Sequence, residues 1–177
     1  MQKAEIITQP YAGEYRERIY DITSPWNSQE WTWVKFEDEE ETWCGVFRGA
    51  PKGVAFSQKY SKVLILTTDY LYALDCDKAE IIEYEAQPQY NDITVTPDDD
   101  FLVASYYDIE IIKESLQDRE TLERPFEMDM IKFHEWDGSR LKVSCYKFLD
   151  WNERVEFFLD MDVLEVIGDH VIVEREA

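Results

Sequence analysis

The sequence predicts an all-β protein built from tandem four-stranded antiparallel meanders with a period of about 40 residues. Three stretches, 53–85, 92–127 and 129–168, each contain four short runs of alternating or continuous apolar residues. Their clearest shared feature is the turn before the last strand, since residues 74–82 return as 159–167 with five of nine positions identical. Residues 114–120 carry the only helix-like pattern, and we interpret them as a loop within the second unit.

Repeats of this length made only of strands are typical of propeller blades, so we expect a propeller-like arrangement. Three units are too few for a ring, which takes about four to eight blades. The missing fourth is expected from a hairpin over residues 31–48, together with residues 6–7 and the C-terminal stretch 170–174. A small four-bladed ring or an open arc would result, and a β-sandwich is the alternative. Length favours a single domain over residues 1–177.

The predicted strands follow from the hydrophobic pattern, taken in chain order. The N-terminal hairpin alternates aromatic or aliphatic with polar residues over 31–36 and 42–48, joined by five consecutive carboxylates. In each repeat the second strand is the most continuously apolar, as expected for a strand buried on both faces. The predicted strands of the repeats are 54–57, 62–67, 70–74 and 79–84; then 93–96, 101–107, 109–112 and a weak 122–126; then 130–134, 141–146, 155–159 and 164–167.

The charge balance restricts the classes of partner. Lys and Arg number 18 against 39 Asp and Glu, a net charge of -21, whereas a magnitude of about 2 to 8 is enough to keep a small domain soluble. Such a surface repels nucleic acid phosphates and anionic lipids and attracts basic proteins. The 6 Trp, 11 Tyr and 9 Phe exclude the disorder that acidic chains otherwise favour. We therefore expect a folded protein that binds neither nucleic acid nor membrane.

The termini and cysteines indicate a cytoplasmic protein. The first ten residues lack the apolar core of a signal peptide, and no apolar run has the length of a membrane-spanning helix. Cys44, Cys76 and Cys145 are odd in number and widely spaced, which favours buried free thiols in a reducing compartment. No pair of metal-ligating residues has zinc-site spacing, and neither a cofactor nor a metal is predicted.

Acidic loops and turn-proximal tryptophans are the predicted partner-binding features. Five adjacent carboxylates at the hairpin tip and three more between two strands would dock a basic surface by steering and rim contacts, although the first run also serves as a solvated loop that blocks edge pairing. Two tryptophans beside turns are expected to be exposed and to anchor the partner. The predicted partner-binding residues are Glu37, Asp38, Glu39, Glu40, Glu41, Asp98, Asp99, Asp100, Trp136 and Trp151.

A second, weaker candidate is an anion site in the segment that contains Arg48, Gly49 and Lys52. Residues 42–68 hold four basic residues and no acid, with glycines every four positions at 45, 49 and 53. Glycine lets backbone amides approach an anion, and the two cations would complete the site. The pattern matches no phosphate-loop motif, and pairing of the cations with neighbouring acids is the alternative.

No catalytic signature is present. Asp75 with Asp77, and Asp160 with Asp162, have carboxylate spacing that suits calcium, but their recurrence at one point of the repeat favours a structural hairpin turn. His134 and His170 have no evident nucleophile or metal partner.

The sequence therefore favours a small acidic cytoplasmic protein-binding module over an enzyme. We expect it to recognise and neutralise a basic protein partner, in the manner of an immunity protein or inhibitor. This analogy rests on charge and size. The alternative is a small-molecule or glycan-binding propeller-like module, and the third hypothesis is a carboxylate-dependent hydrolase.

Overall fold

The computed structural model describes residues 1–163 and 165–173, which form sixteen β-strands and no helix. The strands make four sheets of four strands each. The chain divides into two compact units, Met1–Pro88 with Glu114–Leu116, and Gln89–Lys113 with the chain from Gln117 onward. No helix in this part of the chain is long and apolar enough to cross a membrane. The predicted fold class, all-β with tandem four-stranded units, is confirmed.

The first sheet contains strands β1 to β4 in the order β1-β3-β4-β2. The predicted hairpin is β3 with β4, and β1 contains residues 6–7 and pairs antiparallel with β3. Strand β2 was not predicted, because three of its five residues, Arg16, Glu17 and Arg18, are charged. It lies parallel to β4, a pairing that no local turn can specify. The strand bounds are Lys3–Ile7 for β1, Arg16–Tyr20 for β2, Trp31–Glu37 for β3 and Thr42–Arg48 for β4.

The second sheet is a simple meander of four strands and corresponds to the first predicted repeat. Its two middle strands are almost continuously buried, as their apolar sequences predict. The carboxylate of Glu83 in this sheet accepts hydrogen bonds from the Ser115 hydroxyl at 2.7 Å and the Leu116 amide at 3.1 Å, which explains why residues 114–116 belong to this unit. The strand bounds are Pro51–Ser57 for β5, Lys62–Thr67 for β6, Tyr70–Asp75 for β7 and Ile81–Ala86 for β8.

Aromatic rings fill the core of the first unit. Phe36 stacks on Trp43 with ring centroids 4.3 Å apart, and Tyr20 stacks on Phe47 at 4.7 Å. Gly45 lies beneath these rings, and a Cβ there would stand 2.6 Å from the Phe47 ring. The sheet therefore requires glycine at this position so that the rings can pack against its backbone.

The third sheet is the second predicted repeat, again a meander. Its fourth strand lies at 119–121 rather than at the predicted 122–126, because Leu122 turns into the core and is buried. Of the predicted loop 114–120, residues 114–118 form no regular structure, as predicted, whereas Arg119 and Glu120 lie in β12. The strand bounds are Tyr90–Val95 for β9, Phe101–Ser105 for β10, Ile109–Ile112 for β11 and Arg119–Thr121 for β12.

The fourth sheet is the third predicted repeat, with longer strands than expected. The prediction that residues 170–174 join the N-terminal hairpin is wrong, since the last strand continues to residue 173 and Val171, Ile172 and Val173 pair with the preceding strand. The preceding strand is eleven residues long and provides the edge along which the last strand pairs. Glu174 lies outside the described residues. The strand bounds are Met128–Asp137 for β13, Arg140–Lys147 for β14, Asp150–Asp160 for β15 and Glu165–Val173 for β16.

The second unit has a core of its own, made by aliphatic and aromatic side chains of the third and fourth sheets. Asp92 joins these two sheets, because its carboxylate accepts the amide hydrogen of Phe133 at 3.0 Å and lies 3.5 Å from the Lys132 ammonium. The Trp136 indole N–H donates to the Thr94 hydroxyl at 3.0 Å across the same boundary. Each unit is thus a pair of sheets packed around one core; the single-domain organisation and the ring or sandwich arrangement stay predictions.

Candidate functional site

The predicted acidic loop forms the tip of the β3–β4 hairpin, with Asp38, Glu39 and Glu40 exposed. Asp38 is a structural residue of this turn, because its carboxylate accepts the backbone amides of Glu40 and Glu41, both at 2.9 Å. These hydrogen bonds to the charged form hold the pKa of Asp38 below its usual value. Asp38 therefore holds the turn, and Glu39 and Glu40 within it are exposed.

The carboxylates that flank this tip form ion pairs within the sheet. Lys35 lies between Glu5 and Glu37, and the hydrogen bonds that Glu5 accepts from Lys35 and Lys3 lower the pKa of Glu5 to about 2. Glu41 pairs with Arg16 at 3.3 Å. Glu39 accepts a hydrogen bond from the Gln2 amide at 3.1 Å. The charge that the hairpin presents to solvent is consequently concentrated at Glu39 and Glu40.

The second predicted acidic run, residues 98–100, forms the turn between β9 and β10 in the other unit. Asp99 has a left-handed backbone with φ of 66°, and its amide donates to the Thr96 carbonyl at 2.9 Å. Aspartate tolerates this conformation better than most residues. Asp98 is exposed, whereas Asp99 and Asp100 are partly buried.

The two predicted tryptophan anchors differ in their environment. Trp136 is partly buried against the core of its unit and donates its indole N–H to Thr94, so the expectation that it is exposed is wrong. A side chain that joins two sheets is held by packing, and only part of its surface faces solvent. Trp151, at the start of β15, is 55% exposed and lies 6.1 Å from the Tyr146 ring.

Trp151 belongs to a larger exposed surface that sequence reasoning missed, which we call the aromatic tip. It is formed by the turn between β10 and β11 and the turn between β14 and β15. The Tyr107 ring meets the Phe148 ring edge to face at 5.9 Å, and the Tyr106 ring lies 6.2 Å from the Tyr107 ring. The signal in the sequence is a pair of large apolar residues placed between two strands, at 106–107 and again at 148–149. The aromatic tip comprises Tyr106, Tyr107, Tyr146, Phe148, Leu149 and Trp151.

In the predicted anion site, Arg48 is already engaged by an acid and a carbonyl of this chain. Its guanidinium makes a bidentate pair with Asp21 at 2.8 and 3.1 Å and donates to the Ser28 carbonyl. It also stacks on Trp31 at 3.6 Å from the ring centroid. The Gly49 amide donates to the Glu30 carbonyl at 2.8 Å. An anion would have to displace Asp21, so the structure argues against the predicted site.

Lys52 is the third residue of the predicted anion site. Burial lowers the pKa of its ammonium group. Gly49 has a φ of 104°, and a Cβ there would stand 2.6 Å from the Thr67 hydroxyl, so the backbone explains why this residue is glycine. The alternative interpretation, in which the basic island pairs with neighbouring acids, agrees with the Arg48–Asp21 contact.

The repeated aspartates are turn residues. The Asp75 carboxylate accepts the backbone amides of Asp77 at 3.0 Å and Lys78 at 2.8 Å, and Asp160 accepts the amide of Asp162 at 2.9 Å. These hydrogen bonds explain why the same residue recurs at the same point of two repeats. Among the described residues, no group of three or more His, Cys, Asp or Glu is arranged to hold a metal ion.

His134 lies 2.7 Å from the hydroxyl of Ser144. Ser144 is only 4% exposed, and the Arg154 guanidinium also donates to its hydroxyl at 3.4 Å. This buried hydroxyl gives His134 a structural hydrogen-bonding partner, while the His134 residue itself is exposed. His170 lies in the part of β16 whose side chains are outside the described structure.

No protein-family model matches this chain, and no curated protein matches it. Solved structures do match over 70% of the chain. One is a chain of a complex from S. cerevisiae described as Dbp5 bound to Nup159, Gle1, IP6 and ADP, with 10% identity and a TM-score of 0.47. Another is the N-terminal domain of Nup159, with 9% identity and a TM-score of 0.46. The protein spans about a third, 34%, of the length of these chains.

Proposed function

We propose that this protein recognises and neutralises a basic protein partner. The observation that carries the proposal is that most of the Lys and Arg side chains are already engaged by groups of this chain. Twelve of the 18 Lys and Arg residues contact carboxylates of this chain within 4 Å. Three more, Arg18, Lys59 and Arg119, lie over aromatic rings.

The carboxylates exceed the cations by 21, so this excess has no positive side chain within the chain to neutralise it. Glu39 and Glu40 at the hairpin tip and Asp98 in the β9–β10 turn are exposed members of that excess. Holding so many like charges on one small fold costs stability through self-repulsion. A basic partner relieves this repulsion, and its desolvated contacts then stabilise the complex.

The expected role of the acidic loops is in the association rate. Charge complementarity raises association rates from about 10⁵–10⁶ to as much as 10⁸–10⁹ M⁻¹s⁻¹ at low salt. Rim charges act mainly in this way, whereas buried apolar contacts set the lifetime of the complex. A protein that must neutralise its partner quickly benefits from such steering.

The test is affinity capture from a lysate of the source organism at low and at high salt, with mass spectrometry. We expect a stoichiometric protein of high isoelectric point whose retention weakens as salt rises. The variant Glu39→Gln with Glu40→Gln should bind this protein more slowly, and Glu37→Gln, whose carboxylate is already paired with Lys35, is the matched control. Recovery of acidic or neutral proteins only, or of nothing at either salt, would contradict the proposal.

A second candidate function is supported by a recess in the first unit. An open recess of about 480 Å³ is lined by Trp31, Trp33, Ile7 and Pro51. Trp33 and Ile7 are register partners on adjacent strands, and aromatic faces of this kind suit a sugar ring or another small molecule. The expected result is a ligand-dependent increase in Tm across a panel of sugars, lost in Trp33→Ala. Absence of any increase removes this candidate.

A further inference from the structure

We propose that the aromatic tip is the docking surface for an apolar segment of the basic partner, with positive residues of that partner around it. This inference rests on the proposed function and names the surface that would bind the partner. The surface belongs wholly to the second unit, where two turns meet through the contact between Tyr107 and Phe148.

Its exposure is unusual for side chains of this size. Leu149 is 80% exposed, Trp151 55%, Tyr107 46% and Phe148 44%. Single exposed apolar residues need no explanation, but a contiguous group that includes several aromatic rings is typical of a protein-binding site. Tyr and Trp are also the residues that dominate binding energy at the centre of interfaces.

The fold does not require apolar residues at this turn. Phe148 and Leu149 connect Lys147 to Asp150, which are paired as the last residues of β14 and the first of β15. Two-residue hairpin turns favour Asn, Asp and Gly, which accept unusual backbone angles. Leu149 instead has a φ of 64°, in the left-handed region, where leucine is disfavoured. Side chains retained against local preference at an exposed site indicate a role outside folding.

Charges around the tip identify the occupant. Asp108 and Asp150 follow its two apolar pairs, and the Glu127 carbonyl accepts the Phe148 amide at 3.0 Å. Arg124 pairs with both Asp108 and Glu127 at 3.4 Å, and Lys147 pairs with Glu153. With Asp150 these are four carboxylates against two cations, so the rim has a net negative charge, which suits a basic partner. A second copy of this chain, itself at -21, would be repelled.

The experiment is a selection of a displayed library of random peptides against the immobilised protein at moderate salt. We expect enriched peptides to combine aromatic or aliphatic residues with Lys and Arg. Synthetic versions should bind Phe148→Ser/Leu149→Asn at least tenfold more weakly than the original protein. Tyr11→Ser, which removes an 87% exposed ring from the other unit, is the control and should bind unchanged.

Each other outcome overturns the proposal. If the peptides bind the double variant as tightly as the original protein, the docking surface lies elsewhere. If the selection enriches uncharged or acidic peptides, or none, the aromatic tip does not bind a basic apolar segment. Dimerisation of the protein in sedimentation, abolished by the double variant, assigns the tip to a second copy. A salt-sensitive basic partner recovered equally by the double variant would leave the proposed function standing while this inference fails. The variant's near-UV circular dichroism confirms that it is folded.

Discussion

The Tyr107 and Phe148 rings meet edge to face, with centroids 5.9 Å apart and an angle of 76° between their planes. The contact joins the β10–β11 turn of the third sheet to the β14–β15 turn of the fourth. Such a pair contributes about 0.5–1.5 kcal/mol beyond burial, yet both rings stay nearly half exposed. The contact therefore orders the two turns and still leaves the ring surfaces open to a partner.

The first prediction concerns the backbone strain at Leu149. We expect Leu149→Asn to raise the free energy of unfolding by about 1 kcal/mol, since Asn tolerates the left-handed region that disfavours Leu. Urea unfolding followed by fluorescence measures this change. Phe148→Ser is the comparison in the same turn: it removes the ring contact with Tyr107 and should lower the free energy of unfolding by about 0.5–1.5 kcal/mol, opposite in sign to Leu149→Asn. A clear loss of stability in Leu149→Asn would show that Leu149 has a packing role.

The second prediction concerns the aromatic core of the first unit. Gly45→Ala should lower the free energy of unfolding by about 1–3 kcal/mol, because the new Cβ would lie 2.6 Å from the Phe47 ring and 2.8 Å from the Phe36 ring. Thr42→Ala, exposed on the same strand, should leave stability nearly unchanged. An unchanged midpoint for Gly45→Ala in chemical denaturation would mean that these rings can move aside without cost.

The third prediction compares two aspartates of one turn. Asp75→Ala should lower Tm at neutral pH, because Asp75 accepts the amides of Asp77 and Lys78, and Asp77→Ala should not. These hydrogen bonds hold the pKa of Asp75 below its usual 3.8, so their stabilisation is present above that pH and is lost as pH falls through the lowered value. The difference between the two variants should therefore shrink in acid. Equal Tm values at neutral pH would contradict the assignment.

Local signals in the sequence account for much of the fold. The repeated turn is recognisable because the aspartate at the same position accepts the amide of the residue two positions later, as Asp75 and Asp160 do. The β3–β4 hairpin follows from alternation of apolar and polar residues. Strand β2 was missed because its charged sequence has no such period and its partner β4 lies far away in the chain. The C-terminal strand was assigned to the wrong partner for the same reason: pairing depends on tertiary packing.

The aromatic tip was missed because apolar residues in alternating sequence are interpreted as strand or core. Tyr106 and Tyr107 were included in a predicted strand, whereas the strand ends at Ser105, where the serine hydroxyl accepts the amides of Tyr107 and Asp108. Nothing local distinguishes the partly buried Trp136 from the exposed Trp151. The difference arises from Thr94, which is distant in sequence and close in the folded unit.

The fourth prediction concerns the buried thiols. Burial raises the pKa of Cys44 to about 11 and those of Cys76 and Cys145 to about 12, from an ordinary value of 9.0. The thiolate is the reactive form, so a disulfide-exchange reagent at pH 8 should titrate no thiol in the native protein and all three in urea. Rapid reaction of one thiol in the native protein would show that its site opens locally.

The same shifts predict alkaline sensitivity. Between the ordinary pKa of 9.0 and the raised values, the native state holds protons that the unfolded chain has released. The free energy of unfolding should therefore be unaffected by these groups below pH 9 and should fall as pH rises above it. Burial also raises the pKa of Tyr72 and Tyr20, which adds to the loss. Cys145→Ala should be less stable at pH 7 because of the cavity it leaves, but its stability should decline less steeply from pH 9 to 11. A parallel decline in both proteins would mean that the Cys145 thiol does not contribute to the pH dependence.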